Sequence, residues 1–174
     1  KQRQEHLTTP LDLYAAIQSG KLPAVSYVKP SGLNDGHPSS SKFDIFEAFT
    51  KKIIDQLQAN PELFAHTAVF ITTDEGGGYY DSGYVHPLDF FGDASRIPLI
   101  VVSPYSQNVG VVHSYDDHVS LLKFIETRWN VEALDRRDAN ANDLTNAFEV
   151  SAPTDLATPV VPAASPVASP EATP

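Results

Sequence analysis

Apolar residues recur at helical spacing in three segments of the chain. In FEAFTKKIIDQL (46–57), aromatic and aliphatic residues return every three or four positions, which predicts an amphipathic helix. Serines before this segment are expected to cap the helix. Gly20 is expected to end the first helix, and Asp116 or Asp117 to cap the last. The three predicted helices cover residues 11–20, 39–60 and 116–129.

Three other segments are apolar without polar alternation, which is typical of short strands buried on both faces. Strands of this kind, separated by helices, indicate a parallel sheet covered by helices on both sides. The predicted fold class is therefore α/β, with a doubly wound, mostly parallel sheet flanked by helices. The predicted strands cover residues 23–29, 67–73 and 97–104.

Titratable residues follow each predicted strand. In open parallel sheets, ligands bind beyond the carboxyl ends of the strands, where the strand-to-helix loops gather. We therefore expect these residues to converge at one edge of the sheet and to form a site. They are Asp35 and His37 after the first strand, Asp74, Glu75, Asp81 and His86 after the second, and His113 and His118 after the third.

Asp74 and Glu75 stand side by side in FITTDEGGGYYD (70–81), at the end of a predicted buried strand. Repulsion and desolvation oppose such a pair unless a positive group compensates, and the stretch contains no Lys or Arg. A hard divalent cation would compensate, with Zn or Fe admitted if a histidine joins the site. Alternatively, both acids favour a helix N-terminus, although the glycines that follow are a poor helix start. These glycines would let the backbone approach a ligand closely.

The histidines and hydroxyl residues leave alternatives open. His37, in a loop beyond a strand end, is a candidate phosphate donor or general acid, although a loop histidine is about as often a surface residue. His118 lies in the first turn of a helix, where a structural role is at least as plausible as ligation. No nucleophile is evident, because helix capping explains the serines at 39–41 and strand propensity explains the threonines at 72 and 73.

Charge and composition narrow the function classes. The net charge of −10 disfavours nucleic acid or an anionic membrane surface as a partner, although a bound metal would still admit a phosphate. The sequence contains no apolar run near the ~20 residues of a transmembrane segment. The chain has no Cys, which excludes disulfides and thiolate chemistry.

The two ends of the chain differ in character from its centre. Residues 151–174 contain six of the fourteen prolines, mixed with Ala, Ser and Thr, which predicts a disordered tail or linker after a domain at 1–150. The chain has no Met and begins with a polar stretch. We therefore expect a processed or excised chain whose domain is incomplete at its N-terminus.

Five blocks of sequence carry a family resemblance. In order, they are LPAVSYVKPSGLNDGHPSSS, TAVFITTDEGGGYYDSGYVHPLDFFGD, RIPLIVVSPYS, DDHVSLLKFIETRW and RRDANANDLTNAFE. Over residues 22–149, they resemble the bacterial phosphoesterase family, which contains non-specific phospholipases C and certain acid phosphatases. That family looks like a branch of the alkaline phosphatase and sulfatase superfamily. The resemblance thus implies an alkaline phosphatase-like fold, here without its N-terminal part.

The resemblance also implies roles for residues of this chain. Asp74 and Glu75 match metal-binding carboxylates, so a divalent metal ion is the implied cofactor. His37, within DGHP, matches an active-site histidine that contacts the phosphoryl group. The remaining candidates, assigned to substrate binding, are Gly76, Gly77 and His118, the last of which matches a recurrent family residue within DDHVS.

Two features depart from the family pattern. Ser82 stands where some members have a histidine, which leaves His86 as a speculative substitute. The family's N-terminal half supplies a Glu-Asn metal-ligand pair and a nucleophilic hydroxyl, and nothing before Leu22 resembles either. The resemblance implies attack by Ser or Thr on phosphorus with metal stabilising the developing charge, so this chain would carry only part of the active site.

The predicted function is metal-dependent hydrolysis of phosphoric esters, of the phospholipase C or acid phosphatase type. The substrate would be a phosphoester or phospholipid, and the location secreted or extracytoplasmic. One alternative is a truncated or degenerate non-catalytic module that needs an N-terminal partner segment. Another is a sulfatase-like or carbohydrate-active hydrolase on the same scaffold.

Overall fold

A computed structural model describes residues 6–93, 95–106 and 110–148 of the chain. They form a mixed helix-and-strand structure. In the described ranges, three α-helices precede a pair of strands and two follow it. The helices are α1 (Pro10–Gln18), α2 (Phe43–Gln58), α3 (Pro61–Phe64), α4 (His118–Trp129) and α5 (Arg136–Ala139), with a 3₁₀ turn at Thr145–Ala147; the strands are β1 (Val69–Thr72) and β2 (Leu99–Val102). The predicted tail at 151–174 and the domain boundary at 150 lie outside the described residues.

The predicted ends of two helices are confirmed. Gly20, at a φ of 67°, follows the last turn of α1, where the left-handed conformation costs glycine little. Asp117 caps α4, because its carboxylate accepts hydrogen bonds from the amides of Val119 and Ser120. Both helix ends are thus fixed by local chemistry that the sequence displays.

The predicted serine cap of α2 is wrong. The N-cap residue is Lys42, and no side chain caps this helix. The hydroxyl of Ser41 instead donates to the carbonyl oxygen of Leu33 at 2.9 Å, and that of Ser39 lies 2.9 Å from His37 Nδ1. These serines hold the preceding loop together, because the helix begins too late for them to reach its free amides.

The predicted parallel sheet is not found among the described residues. β1 and β2 pair in antiparallel fashion, with Val69 opposite Val102 and Thr72 opposite Leu99. A parallel pair needs a crossover connection, usually a helix. The described part of 73–98 contains no helix, so the chain turns back beside β1. The predicted strand at 23–29 is also absent, since no described strand lies beside it to pair with its backbone.

An aromatic cluster anchors β1. The ring of Phe70 lies 5.0 Å from that of Phe124 on α4 and 6.0 Å from that of Phe148. Between α1 and α2, Ile17 and Leu57 are almost completely buried. The ring contacts hold β1 against α4, while the two aliphatic side chains pack α1 on α2. None of the helices in the described ranges is long and apolar enough to cross a membrane.

Two buried carboxyl groups join α4 to α5. Burial raises the pKa of Glu126, and the neighbouring Asp138 raises it further. Burial also opposes ionisation of Asp138, but the amides of Asp135 and Leu134 and the carboxyl group of Glu126 hold its pKa far below the ordinary value. A proton bound by the pair therefore resides on Glu126 rather than on Asp138.

We predict that Glu126→Gln changes the pH dependence of stability. A raised folded-state pKa contributes stability below the unfolded-state pKa, and this contribution is lost as pH rises through the folded-state value. Glutamine keeps an N–H donor beside Asp138 at every pH. As pH rises from the ordinary range of a glutamate through the raised folded-state pKa of Glu126, the free energy of unfolding of the original chain should therefore fall relative to that of Glu126→Gln.

Urea unfolding at several pH values measures this difference. The control is Glu132→Gln, which removes the same charge from an exposed position. Parallel pH profiles for the original chain and Glu126→Gln would contradict the shared-proton interpretation.

Candidate functional site

A cleft of about 330 Å³ lies where β1 ends. We call it the β1 cleft. It brings together five of the six predicted site residues, namely His37, Asp74, Glu75, Gly76 and Gly77. The convergence predicted for titratable residues is observed for Asp35, His37, Asp74, Glu75 and Asp81, although the sheet beneath them is antiparallel. The other titratable residues of that prediction, His86, His113 and His118, do not line the cleft. The cleft is also lined by Tyr27, Lys29, Asp35, Phe43, Phe46, Thr72, Thr73, Tyr79, Tyr80, Asp81 and Arg96, among others.

Glycines allow three loops to meet at the cleft. A Cβ at Gly76 would lie 2.3 Å from Ser95 Oγ, so the segment before β2 packs directly on this glycine. A Cβ at Gly77 would lie 3.5 Å from Pro38 Cδ, beside His37. These contacts give both glycines a packing role, while substrate binding by them stays a prediction.

Asp74 and Glu75 are both exposed in the β1 cleft. Water therefore solvates the two carboxylates, and the desolvation expected for a buried strand end does not arise. Glu75 Oε2 also accepts a hydrogen bond of 2.7 Å from the amide of Gly77. This bond folds the Glu75 side chain back over the glycine turn.

The carboxylate oxygens of the β1 cleft are the type of ligand that a hard cation prefers, but the cleft provides too few of them. Carboxylate oxygens are the preferred ligands of Mg²⁺ and Ca²⁺, which take six or more ligands. Within the described ranges, no group of three or more His, Asp or Glu side chains is arranged to hold a metal ion. Asp74 and Glu75 by themselves therefore do not fit a complete metal site.

Hydrogen bonds fix the ring of His37. The amide of Ser39 donates to His37 Nδ1 at 3.2 Å, and the amide of His37 donates to Asp35 Oδ1 at 3.0 Å. Since Nδ1 accepts a hydrogen bond, the neutral ring carries its proton on Nε2. This arrangement makes Nε2 the hydrogen-bond donor of the ring.

His118 does not line the β1 cleft but supports it. Its Nε2 atom lies 2.9 Å from the carbonyl oxygen of Thr73 and donates to it, which ties the first turn of α4 to the residue before Asp74. His118 thus contacts the site's backbone. Its predicted role in substrate binding stays a prediction.

His86 also lies outside the lining of the cleft. Its ring stacks on that of Tyr115 at 4.1 Å, and its backbone pairs with that of Asp93. Asp93 accepts a hydrogen bond from the hydroxyl of Tyr115. Arg137 binds the same region through Asp89 and Asp117, each at 3.2 Å. These contacts give His86 a structural place in the loop at 84–93.

Lys29 and Arg96 are cleft residues that the sequence did not single out. Arg96 precedes β2, so a parallel sheet would place it at the opposite edge from Asp74. The antiparallel register instead sets the start of β2 beside the end of β1. Arg96 could have been predicted as a cleft residue only if RIPLIVV had been recognised as an antiparallel partner of β1.

Comparisons with known proteins identify the family of the chain. The model of a family described as "Phosphoesterase family" matches residues 1–132. The chain is 31% identical to Phospholipase C B of Mycobacterium tuberculosis over 84% of its own length and 33% of that protein. It is 29% identical to Non-hemolytic phospholipase C of Burkholderia pseudomallei over 89% of its length and 27% of that protein. It is 26% identical to Non-specific phospholipase C1 of Arabidopsis thaliana over 75% of its own length and 30% of that protein. The chain thus spans about a third or less of these relatives.

We predict that Gly77→Ala destabilises the chain more than Gly78→Ala. Both glycines have left-handed backbones, with φ of 64° and 75°, which cost other residues roughly 1–2 kcal/mol. Only Gly77 also has close neighbours, since an added Cβ would lie 3.2 Å from Tyr79 Cδ2, whereas the space at Gly78 is open. Urea unfolding of the two variants separates the backbone cost from the crowding. Equal losses would show that the crowding against Tyr79 contributes nothing.

A second prediction concerns the tautomer of His37. The Ser39 amide should keep neutral His37 protonated on Nε2, and Ser39→Ala should preserve this tautomer because the amide remains. Long-range ¹H–¹⁵N NMR spectra distinguish the two ring nitrogens, and His66, outside the lining of the cleft, serves as an internal reference. A neutral ring protonated on Nδ1 would contradict the observed hydrogen bonding.

Proposed function

The chain belongs to the phosphoesterase family, and on that premise we propose that it contributes the active-site cleft of a phosphoric-ester hydrolase. The observation that supports this most directly is the meeting of His37, Asp74 and Glu75 in one cleft, from two separate loops. The relatives named phospholipase C make a phosphoester the natural substrate class. Because the chain spans about a third of those relatives, the activity is proposed for a site that further residues complete.

His37 is the proposed proton donor. Its Nδ1 is occupied by the Ser39 amide, so Nε2–H remains as the donor of the ring, which belongs to the lining of the cleft. A donor in this place can bind a phosphoryl oxygen or protonate the leaving oxygen of the ester. Asp35 supports the role indirectly, because it accepts the His37 amide and holds the loop.

Asp74 and Glu75 are the proposed ligands of a divalent cation. Two exposed carboxylates would repel an anionic phosphoester unless a positive charge stood between them and the substrate. A bound metal ion would supply this charge and stabilise the charge that develops on the phosphoryl oxygens. We propose that its further ligands come from outside the described residues, since the donor set here is incomplete.

The nucleophile is also proposed to lie outside the described residues. Ser39 is hydrogen-bonded to His37, but it does not line the β1 cleft. Thr72 lines the cleft, but its hydroxyl donates to the carbonyl oxygen of Pro98 at 2.8 Å. The hydroxyl of Thr73 donates to the carbonyl oxygen of Glu75 at 3.0 Å. These hydroxyls therefore have structural partners already.

We further propose the wider setting of the site. Strands outside the described residues would complete a mostly parallel, alkaline phosphatase-like sheet around β1 and β2. Residues 1–150 would then be the C-terminal part of a catalytic domain, and 151–174 a linker. A phospholipid substrate is proposed after the relatives named phospholipase C. A secreted or extracytoplasmic location is proposed from the family resemblance and the Pro/Ala/Ser/Thr composition of 151–174.

A non-catalytic module is the second candidate function. The incomplete ligand set and the apolar residues left exposed, such as Ile100 at 54% and Phe91 at 87%, favour a chain that packs against another segment. Activity of the chain by itself distinguishes the two candidates.

We predict that any turnover of p-nitrophenyl phosphate or p-nitrophenyl phosphorylcholine in the β1 cleft requires added divalent metal. The double variant Asp74→Ala, Glu75→Ala should lower this turnover at least about tenfold, because it removes the proposed ligands. His37→Ala should lower it on the order of a hundredfold, the contribution typical of a positioned proton donor. Initial rates with and without metal measure both effects.

The control is Glu62→Ala, Glu132→Ala, which removes two exposed carboxylates outside the β1 cleft and should leave the rate unchanged. No turnover by a folded chain would reject activity of this chain alone and favour the non-catalytic module. Metal-dependent turnover that survives loss of Asp74 and Glu75 would reject them as ligands.

A further inference from the structure

We propose that Arg96 binds the phosphoryl oxygens of the substrate in the β1 cleft. The inference rests on the proposed function, because it takes the cleft as a phosphoester site. It adds a binding residue that the family resemblance did not assign.

The backbone around Arg96 is fixed on both sides. Ser95 packs on Gly76, where an added Cβ would lie 3.3 Å from Ser95 Cβ. On the other side, the hydroxyl of Thr72 donates to the carbonyl oxygen of Pro98 at 2.8 Å. Arg96 therefore leaves a segment that is attached to the end of β1, next to Asp74.

The charge of the cleft requires a compensating group. Its described lining contains Asp35, Asp74, Glu75 and Asp81, which together repel a phosphate. The Lys and Arg residues of that lining are Lys29 and Arg96. Without such a cation, the described lining would present an entering anion with four carboxylates and no permanent positive charge.

Arg96 suits this task better than Lys29 does. A guanidinium group is planar and presents paired N–H donors that match two phosphate oxygens, whereas an ammonium group acts as a point charge. Arg96 is exposed, and it forms no ion pair within 4.0 Å among the described residues. Arg137 provides the contrast, because Asp89 and Asp117 each lie 3.2 Å from its guanidinium group. The guanidinium group of Arg96 is thus available to a ligand, and that of Arg137 is not.

Binding of inorganic phosphate to the chain without added metal tests the inference. Isothermal titration should show saturable binding that Arg96→Ala weakens at least about tenfold, the loss of one charge-assisted contact pair. Arg96→Lys should restore part of the affinity, because it returns the charge but not the fork. The matched control is Arg128→Ala on α4, an arginine that lies near the ring of Trp129 and not in the cleft.

A second variant guards against a general effect of charge. Asp74→Asn removes a carboxylate from the same cleft, so it should strengthen phosphate binding in the absence of metal. Circular dichroism confirms that each variant is folded. If phosphate affinity is equal in Arg96→Ala and the original chain, or if the original chain binds no phosphate, the inference is overturned.

The failure of this inference is distinguishable from failure of the proposed function. Arg96-dependent phosphate binding by a chain that hydrolyses nothing would support the inference and count against activity of this chain. If the chain hydrolyses substrate but its phosphate affinity is unchanged by Arg96→Ala, the inference is rejected and the proposed function stands.

Discussion

The antiparallel pairing of β1 with β2 is the constraint on which the site depends. The register places Thr72 opposite Leu99, so the end of the first strand and the start of the second lie at the same edge. Asp74 and Glu75 leave that edge from one strand, and Arg96 approaches it just before the other. The aromatic cluster of Phe70, Phe124 and Phe148 holds β1 against α4 and the C-terminal segment. The charged groups therefore inherit their positions from a short sheet and a few ring contacts.

The same geometry explains why glycines follow Asp74 and Glu75. Three loops converge on a small volume. An added Cβ at Gly76 would collide with Ser95, and one at Gly77 would crowd Tyr79 and touch Pro38. Glycine permits a neighbouring group to approach the backbone closely, and at Gly76 that group is Ser95 from another loop of the chain. A glycine run beside two acids is thus compatible with a ligand site without itself being the ligand contact.

Local chemistry made much of this structure predictable from the sequence. Helical periodicity and the caps at Gly20 and Asp117 are decided within a few residues, so α1, α2 and α4 were expected close to where they lie. The meeting of His37 with Asp74 and Glu75 was also expected, from their positions beyond predicted strands. Strand direction could not be obtained in this way, because an apolar run such as LIVV reads the same in a parallel and an antiparallel partner. Because of this ambiguity, Arg96 was not predicted to lie in the cleft. The strand predicted at 23–29 failed for another reason, since the described residues provide no partner for it.

Electrostatics links the proposed metal to the proposed substrate. Four carboxylates and two basic side chains line the β1 cleft, so a bound cation would reduce the repulsion that an anion meets there, and a bound anion would add to the attraction that a cation meets. By linkage, whatever factor the cation adds to phosphate affinity, phosphate must add to cation affinity. If Asp74 and Glu75 bind the proposed cation, the cleft would hold it weakly without substrate and more tightly when a phosphoester is bound. The incomplete donor set and the free guanidinium group are in this sense two halves of one binding equilibrium.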